Sequence, residues 1–328
     1  MTKISWTEKT VNPIIGCSKV SEGCAHCYAE IMAARLAHMG NRPYQNVTGG
    51  DYENWFQCWN GKTTFVESAL QKVLKRNKPT TWFWCSMGDM FHESVPDEWI
   101  DKCFAVMALT PQHTHMVLTK RAARMMEYMI RLGSKEEPTV CTLHDRTRDF
   151  HDLWMKADIS KLWPLPNVWL GVTAENQATA DERIPLLLRT PAAHRYISAE
   201  PLLGAIDFKP YWLREAHTLT RLIDLIIVGG ESGPGARPMN PQWARDIRDQ
   251  CETAGTHFHH KQFGEWVSEM HPAAGNAWCN KLSDIFVKLS PAGDDYTGYY
   301  MARVGKKRAG RLLDGVTHDW MPGRDGDK

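Results

Sequence analysis

The sequence predicts an α/β protein built as a complete or partial (β/α) barrel, and three observations predict it. Short apolar runs, each ending in a small residue and then polar ones, recur through the middle of the chain. They alternate with amphipathic stretches at about 30-residue intervals, which is the pattern of βαβ units with buried parallel strands. The side chains capable of chemistry gather just past those runs, and a barrel collects such positions on one face, at the C-terminal ends of its strands.

A first strand is expected at Asn12–Ile15, ahead of a cysteine-rich loop. The next run, from Trp82 to Cys85, ends in Ser86-Met87-Gly88-Asp89. His115 to Leu118 leads into Lys120-Arg121, and Val168 to Thr173 into Glu175. Arg195 to Ser198 leads into Glu200-Pro201, and Leu225 to Val228 into Gly229-Gly230-Glu231. The last run begins at His257 and carries Lys261 at its end. His259 and His260 beside it read as packing or rim residues. Between the runs, Asp97–Leu109 after Pro96, Arg121–Leu132, Ala178–Leu188 and Pro241–Ala254 show helical apolar periodicity.

Two segments interrupt the rhythm. Residues 40–62 read as an insertion after the first helix, and 133–166 as a long connection suited to a lid or to a surface excursion. The rhythm fades from residue 267, which divides the chain into a barrel over 1–266 and an extension over 267–328. The extension contains Lys306, Lys307, Arg308 and Arg311 among glycines, a set suited to phosphates or simply to a solvated turn.

No run of about 18 apolar residues occurs, so no membrane partner is expected, and the N-terminus lacks the apolar stretch of a signal peptide. Nine cysteines in such a chain point to a reducing cytoplasm, with thiols free or bound to metal. A net charge of +1 excludes attraction to nucleic acid by the whole-molecule field and leaves any phosphate contact to local patches. Most of the fourteen tryptophans are expected in core or barrel-rim packing, while exposed ones could stack on bases.

Cys17, Cys24 and Cys27 form a C-x6-C-x2-C loop. Three thiolates on one loop can hold three irons of a [4Fe–4S] cluster and leave the fourth iron open to a small molecule. A Cys3His zinc site completed by His26 or His38 is the competing metal reading, although His26 is tightly tethered between two of the cysteines. The functions these readings allow are a cluster enzyme, a zinc hydrolase on the same barrel, or a non-catalytic nucleic-acid-binding protein with a structural metal.

The cysteine loop resembles that of radical SAM enzymes, with a longer first gap than their usual C-x3-C-x2-C. The start Trp6-Thr-Glu-Lys-Thr-x-Asn12-Pro13-x-x-Gly16-Cys17, the Ser86-Met-Gly-Asp-x-Phe-His92 turn and Gly171-Val-Thr-Ala-Glu175-Asn176 extend the likeness. So do Ser198-Ala-Glu-Pro-Leu202, Gly229-Gly-Glu-Ser232 and Lys307-Arg-Ala-Gly-Arg311-x-Leu-Asp-Gly315. Together they resemble a phage and prophage family of three-cysteine, radical-SAM-like proteins, distantly similar to spore photoproduct lyase and to phage radical SAM isomerases of thymine hypermodification.

The resemblance implies a barrel of radical SAM type, a [4Fe–4S] cluster on Cys17, Cys24 and Cys27, and S-adenosyl-L-methionine as cofactor. It places Ser86, Gly88 and Asp89 at the methionine amino group, with Lys120 and Arg121 at its carboxylate. Thr173 and Glu175 would meet the ribose or the substrate, and Gly229, Gly230 and Glu231 the adenine or a phosphate. Glu200 and Lys261 are left as candidate catalytic groups. The implied reaction is rearrangement of an amino-acid-modified thymine, in phage DNA or as a nucleotide. An external flavodoxin or ferredoxin type electron donor would serve it, in the cytoplasm of a bacterial host.

Overall fold

The computed structural model describes residues 4–49, 58–133, 163–215, 218–220, 222–268, 286–289 and 299–323. Seven strands form one sheet whose order in space is their order in sequence: β1 (Lys9–Val11), β2 (Thr81–Trp84), β3 (Thr114–Thr119), β4 (Val168–Thr173), β5 (His194–Ala199), β6 (Leu225–Gly229) and β7 (His257–Gln262). Every neighbouring pair is parallel. The sheet is curled into a half-barrel with β1 and β7 as its two edges. Of the two architectures the sequence allowed, the partial barrel is the one present.

The first strand is not where the sequence placed it. Lys9–Val11 joins the sheet, and Ile14–Ile15 turns away to pair antiparallel with Thr64–Phe65. Pro13 explains the break, since it has no N–H to give a ladder. Asn12 takes over at that point, its Oδ1 accepting from the Met87 N–H at 3.0 Å and from Ser86 Oγ at 3.1 Å.

Five longer helices follow the strands: α1 (Tyr28–His38), α2 (Asp97–Leu109), α3 (Ala122–Gly133), α4 (Gln177–Arg189) and α5 (Pro241–Ala254). α4 starts at Asn176, whose side chain accepts from the Thr179 N–H. α5 starts at Asn240-Pro241 and ends at Gly255, where φ is 68°. Between helices and sheet lies the main core, including Trp84, Val117, Leu170, Ile197 and Val228. A second core fills the concave side: Trp6, Phe83, Met116, Trp169, Tyr196, Leu225 and Ile227, alternate residues of their strands.

The two chain ends floor the curl. Ser5 Oγ meets His259 Nε2 at 2.8 Å, and the Trp320 ring stacks on His257 at 3.7 Å. Residue 318 covers the β7 edge, its carbonyl accepting from the His260 N–H, while the Pro322 carbonyl accepts from Thr81 Oγ1. His259 and His260 are fully buried, in agreement with a packing role. The buried tryptophans 6, 82, 84, 169, 212 and 266 likewise belong to the core.

Beyond the sheet, Trp266–Ser268, Phe286–Leu289 and Tyr299–Arg303 form a small antiparallel sheet. Its first strand runs across the expected boundary at 266. Of the 40–62 insertion, Arg42–Gln45 is helical and Thr48–Gly49 pairs with Cys58–Trp59. Most of 133–166 lies outside the described residues.

Candidate functional site

The cysteine loop lies across the carboxyl ends of the strands and is docked by backbone before any side chain acts. Gly16 bridges to Gly88 in the turn after β2, with the Gly16 N–H on the Met87 carbonyl at 3.1 Å. A Cβ on Gly88 would meet the Gly16 and Ile14 carbonyl oxygens at 2.9 and 3.0 Å, so Gly88 serves this close approach. Further along, a Cβ on Gly23 would stand 2.3 Å from Glu175 Oε1: the loop rests directly on that carboxylate.

Three carboxylates from alternate strand ends then tie the loop down. After β2, Asp89 is buried and accepts from Phe91 N–H, Thr119 Oγ1, Lys120 N–H and Arg121 Nη1. Arg121 passes the connection on, reaching Ser18 Oγ at 2.7 Å, Cys17 Sγ at 3.7 Å and Glu93 Oε2 at 2.7 Å. After β4, the fully buried Glu175 accepts from Ser21 Oγ at 2.7 Å, from Arg183 Nη1 at 3.0 Å and from Lys120 Nζ. After β6, Glu231 binds His26 Nδ1 at 3.0 Å and Arg237 through Nε and Nη2, while Arg237 also donates to the Glu22 carbonyl.

The electrostatics follow from this geometry. Burial opposes ionisation of Glu175, but Lys120, Arg183 and Ser21 hold its carboxyl below the usual range. Glu231 is likewise depressed against its burial, by Arg237 and His26. Burial, with Asp89 nearby, pushes the Cys17 thiol up to about 12, and burial raises Cys27 too. Two features favour the thiolates once a metal competes for the protons: the Arg121 guanidinium beside Cys17, and the Ala29 and Glu30 amides that Cys27 meets as N-cap of α1.

The donor set is three thiols, the ligand type of an iron–sulfur cluster and of many zinc sites. Cys17 and Cys27, and Cys27 and Cys24, are near enough for their charges to interact. Among the described residues no group of three or more His, Cys, Asp or Glu side chains is placed to hold a metal ion. His26 faces Glu231, and His38 Nδ1 meets the Ala34 carbonyl within its own helix.

Glu200 and Lys261 stand apart from this scaffold. They lie on the concave side at the ends of β5 and β7, with Lys261 Nζ 2.8 Å from Glu200 Oε1 and Ser198 Oγ donating to Glu200 Oε2 at 3.1 Å. Thr173 shares the concave face of β4 with Trp169 and Gly171. A Cβ on Gly229 would reach Glu200 Oε1 at 2.6 Å, so that glycine makes room for the pair. Gly230 instead packs its backbone against Phe263, with its N–H on the Gln262 carbonyl.

The candidates therefore separate into two groups. Asp89, Lys120, Arg121, Glu175, Glu231 and Gly88 hold the loop, and Ser86 is held by Asn12 and by Tyr28, whose hydroxyl donates to the Ser86 carbonyl. Glu200, Lys261, Thr173 and Gly229 line the mouth. Asp89 is not the cap of the following helix, because α2 starts eight residues later, after Pro96. Arg183, Arg237 and Glu93 were missed. Only Arg183 had a sequence signal, as a cation among the core-facing positions Ala180, Ile184 and Leu187 of α4. In the tail, Arg311 is half-buried with Nε and Nη2 covered, whereas Lys306, Lys307 and Arg308 are exposed.

Fold and site define a class: a parallel α/β half-barrel carrying a three-cysteine loop over the carboxyl ends of its strands. The chain belongs to the family described as Protein of unknown function (DUF5131), whose family model matches residues 1–322. No curated protein and no solved structure matches it.

Proposed function

We propose that this protein is a radical-SAM-type enzyme acting on a nucleic-acid base, with an amino-acid-modified thymine as the substrate the family resemblance suggests. The observation that carries the reading is the division of labour at the mouth. One set of charged residues is engaged in fixing a three-thiol loop, and a second pair, Glu200 and Lys261, stands apart from it at the ends of β5 and β7.

Cys17, Cys24 and Cys27 would hold a [4Fe–4S] cluster. When bound, such a cluster supplies an electron to S-adenosylmethionine, whose cleavage yields a 5′-deoxyadenosyl radical able to abstract hydrogen. The chain's own residues supply position and protons. Arg121, Ser21 and His26 hold the loop in register with the sheet through Asp89, Glu175 and Glu231. Trp6, Trp169 and Tyr196 close the concave side below and keep water out of it. The Lys261 ammonium can give a proton to a substrate nitrogen, and Glu200 2.8 Å away can receive an ammonium or hydroxyl donor in its place.

Anaerobic reconstitution with iron and sulfide tests the ligand set. Wild type should turn brown and hold about four irons per chain. Cys17→Ala, Cys24→Ala and Cys27→Ala should each lose that iron, while Cys58→Ala and Cys251→Ala keep it. Full iron content in the Cys24→Ala protein would refute the assignment.

A further inference from the structure

The sequence offered the 306–311 segment as its basic feature, but the fold assembles another. Lys9 on β1, Lys72 on the short helix Leu70–Leu74, and Lys75, Arg76 and Lys78 before β2 wall a 710 Å³ hollow beside the open β1 edge. A 370 Å³ hollow continues it, sharing Thr10 and Lys72 and ending at Asn12, Ile15 and Tyr44. The second hollow thus ends at Ile15, the residue before Gly16-Cys17 in the chain.

The groove is cationic without compensation. Lys9, Lys72, Lys75 and Lys78 are exposed, and none of the five cations has an ion-pair partner among the described residues. Arg76 Nε instead donates to Thr80 Oγ1, and Glu8, just before β1, uses Oε2 to accept the Thr81 N–H. On a chain of net charge +1, five cations around one hollow are a concentrated local field. A single lysine on a sheet edge would serve to discourage edge-to-edge pairing. Five lining a groove exceed that need and match a polyanion.

We propose that this β1-edge groove binds the phosphodiester backbone of a nucleic acid and delivers the strand to the mouth. The delivery half rests on the function proposed above; the binding half does not. The length is suitable: from Lys9 to Asn12 the edge spans roughly 10 Å, room for about three phosphates at a rise of about 3.4 Å per nucleotide. Half-buried Tyr44 at the upper end offers a ring on which a base can stack.

The test measures binding of the full chain to a short fluorescent single-stranded DNA and to its duplex, across a salt series. The triple variant Lys72→Ala/Lys75→Ala/Lys78→Ala is compared with Lys306→Ala/Lys307→Ala/Arg308→Ala, which removes the same charge elsewhere. All six side chains are exposed, and circular dichroism verifies folding. The groove variant should lose about tenfold or more in affinity at 50 mM salt, and its slope of log affinity against log salt should fall by about 2 for single-stranded DNA.

Unchanged affinity and slope in the groove variant, or a loss confined to the tail variant, would overturn the proposal. So would wild-type binding to phosphatidylserine vesicles with none to DNA. Cleavage of S-adenosylmethionine without nucleic acid, assayed on the same variants, separates the two readings. Loss of DNA binding in the groove variant supports the groove even if no form of the protein cleaves the cofactor.

Discussion

Glu175 is the residue on which most of the mouth converges. It is fully buried, yet its two oxygens serve Lys120, Arg183 and Ser21 and leave no side for a Cβ on Gly23. Removing one member of such a set strands the others. Glu175→Gln should cost about 3 to 5 kcal/mol of stability, as for other broken buried pairs. The remaining folded protein should also load less iron, because the loop loses its seat. Thermal or urea unfolding measures the first effect and iron analysis the second. A variant as stable as wild type and fully loaded would show that Glu175 is not a support of the loop.

Legibility at this scale was uneven. The carboxylates could be found from sequence because each follows an apolar run. Their partners could not, since Glu231 meets His26 across 205 residues and Glu175 meets Ser21 across 154. Sequence position read Asp89, Arg121, Glu175 and Glu231 as ligand contacts, and the fold also ties them to the cysteine loop. Glu200 and Lys261 pair with each other instead, and among the described residues have no other ionic partner.

At the scale of elements, punctuation decided what could be read. Pro96 and the Asn240-Pro241 start, with Gly255 after the end, marked α2 and α5 to the residue. The first strand was misplaced because the expected run Asn12–Ile15 contains Pro13, and the residues that join the sheet, Lys9–Val11, lie before it.

The link between β2, β3 and α2 gives a pH test. Trp84 Nε1 donates to His115 Nδ1 at 3.1 Å, so the other ring nitrogen carries the hydrogen and faces Thr110 Oγ1 at 3.0 Å. Burial, with His113 nearby, lowers the His115 imidazole to about 3. A folded value below the ordinary 6.5 means that stability is complete above 6.5 and is lost as pH falls toward 3, by about 1.4 kcal/mol per pH unit for this one proton. His115→Gln should be less stable at neutral pH but lack that proton's share of the slope between pH 6.5 and 4, as urea titrations at several pH values would show. An unchanged slope would remove His115 from the acid response.

For the whole molecule, the half-barrel explains why the site sits where it does. Parallel strands in sequential order carry all seven carboxyl ends to one rim. The terminal segments close the opposite rim, with Trp6 inside and Trp320 against β7. Among the described residues, no helix is long and apolar enough to cross a membrane. On the proposal above, the β1 edge offers a long polymer a cationic wall along which to approach the rim.

The central claim is that the three-cysteine loop serves radical chemistry on S-adenosylmethionine. The most direct measurement is chromatographic: anaerobically reconstituted protein, reduced with dithionite, is incubated with S-adenosylmethionine, with and without phage DNA, and 5′-deoxyadenosine and methionine are quantified. The account expects both products from wild type, fewer from Glu200→Gln and Lys261→Ala with iron content intact, and none from Cys24→Ala. A brown, reduced, iron-loaded protein that leaves S-adenosylmethionine uncleaved under every condition would contradict it.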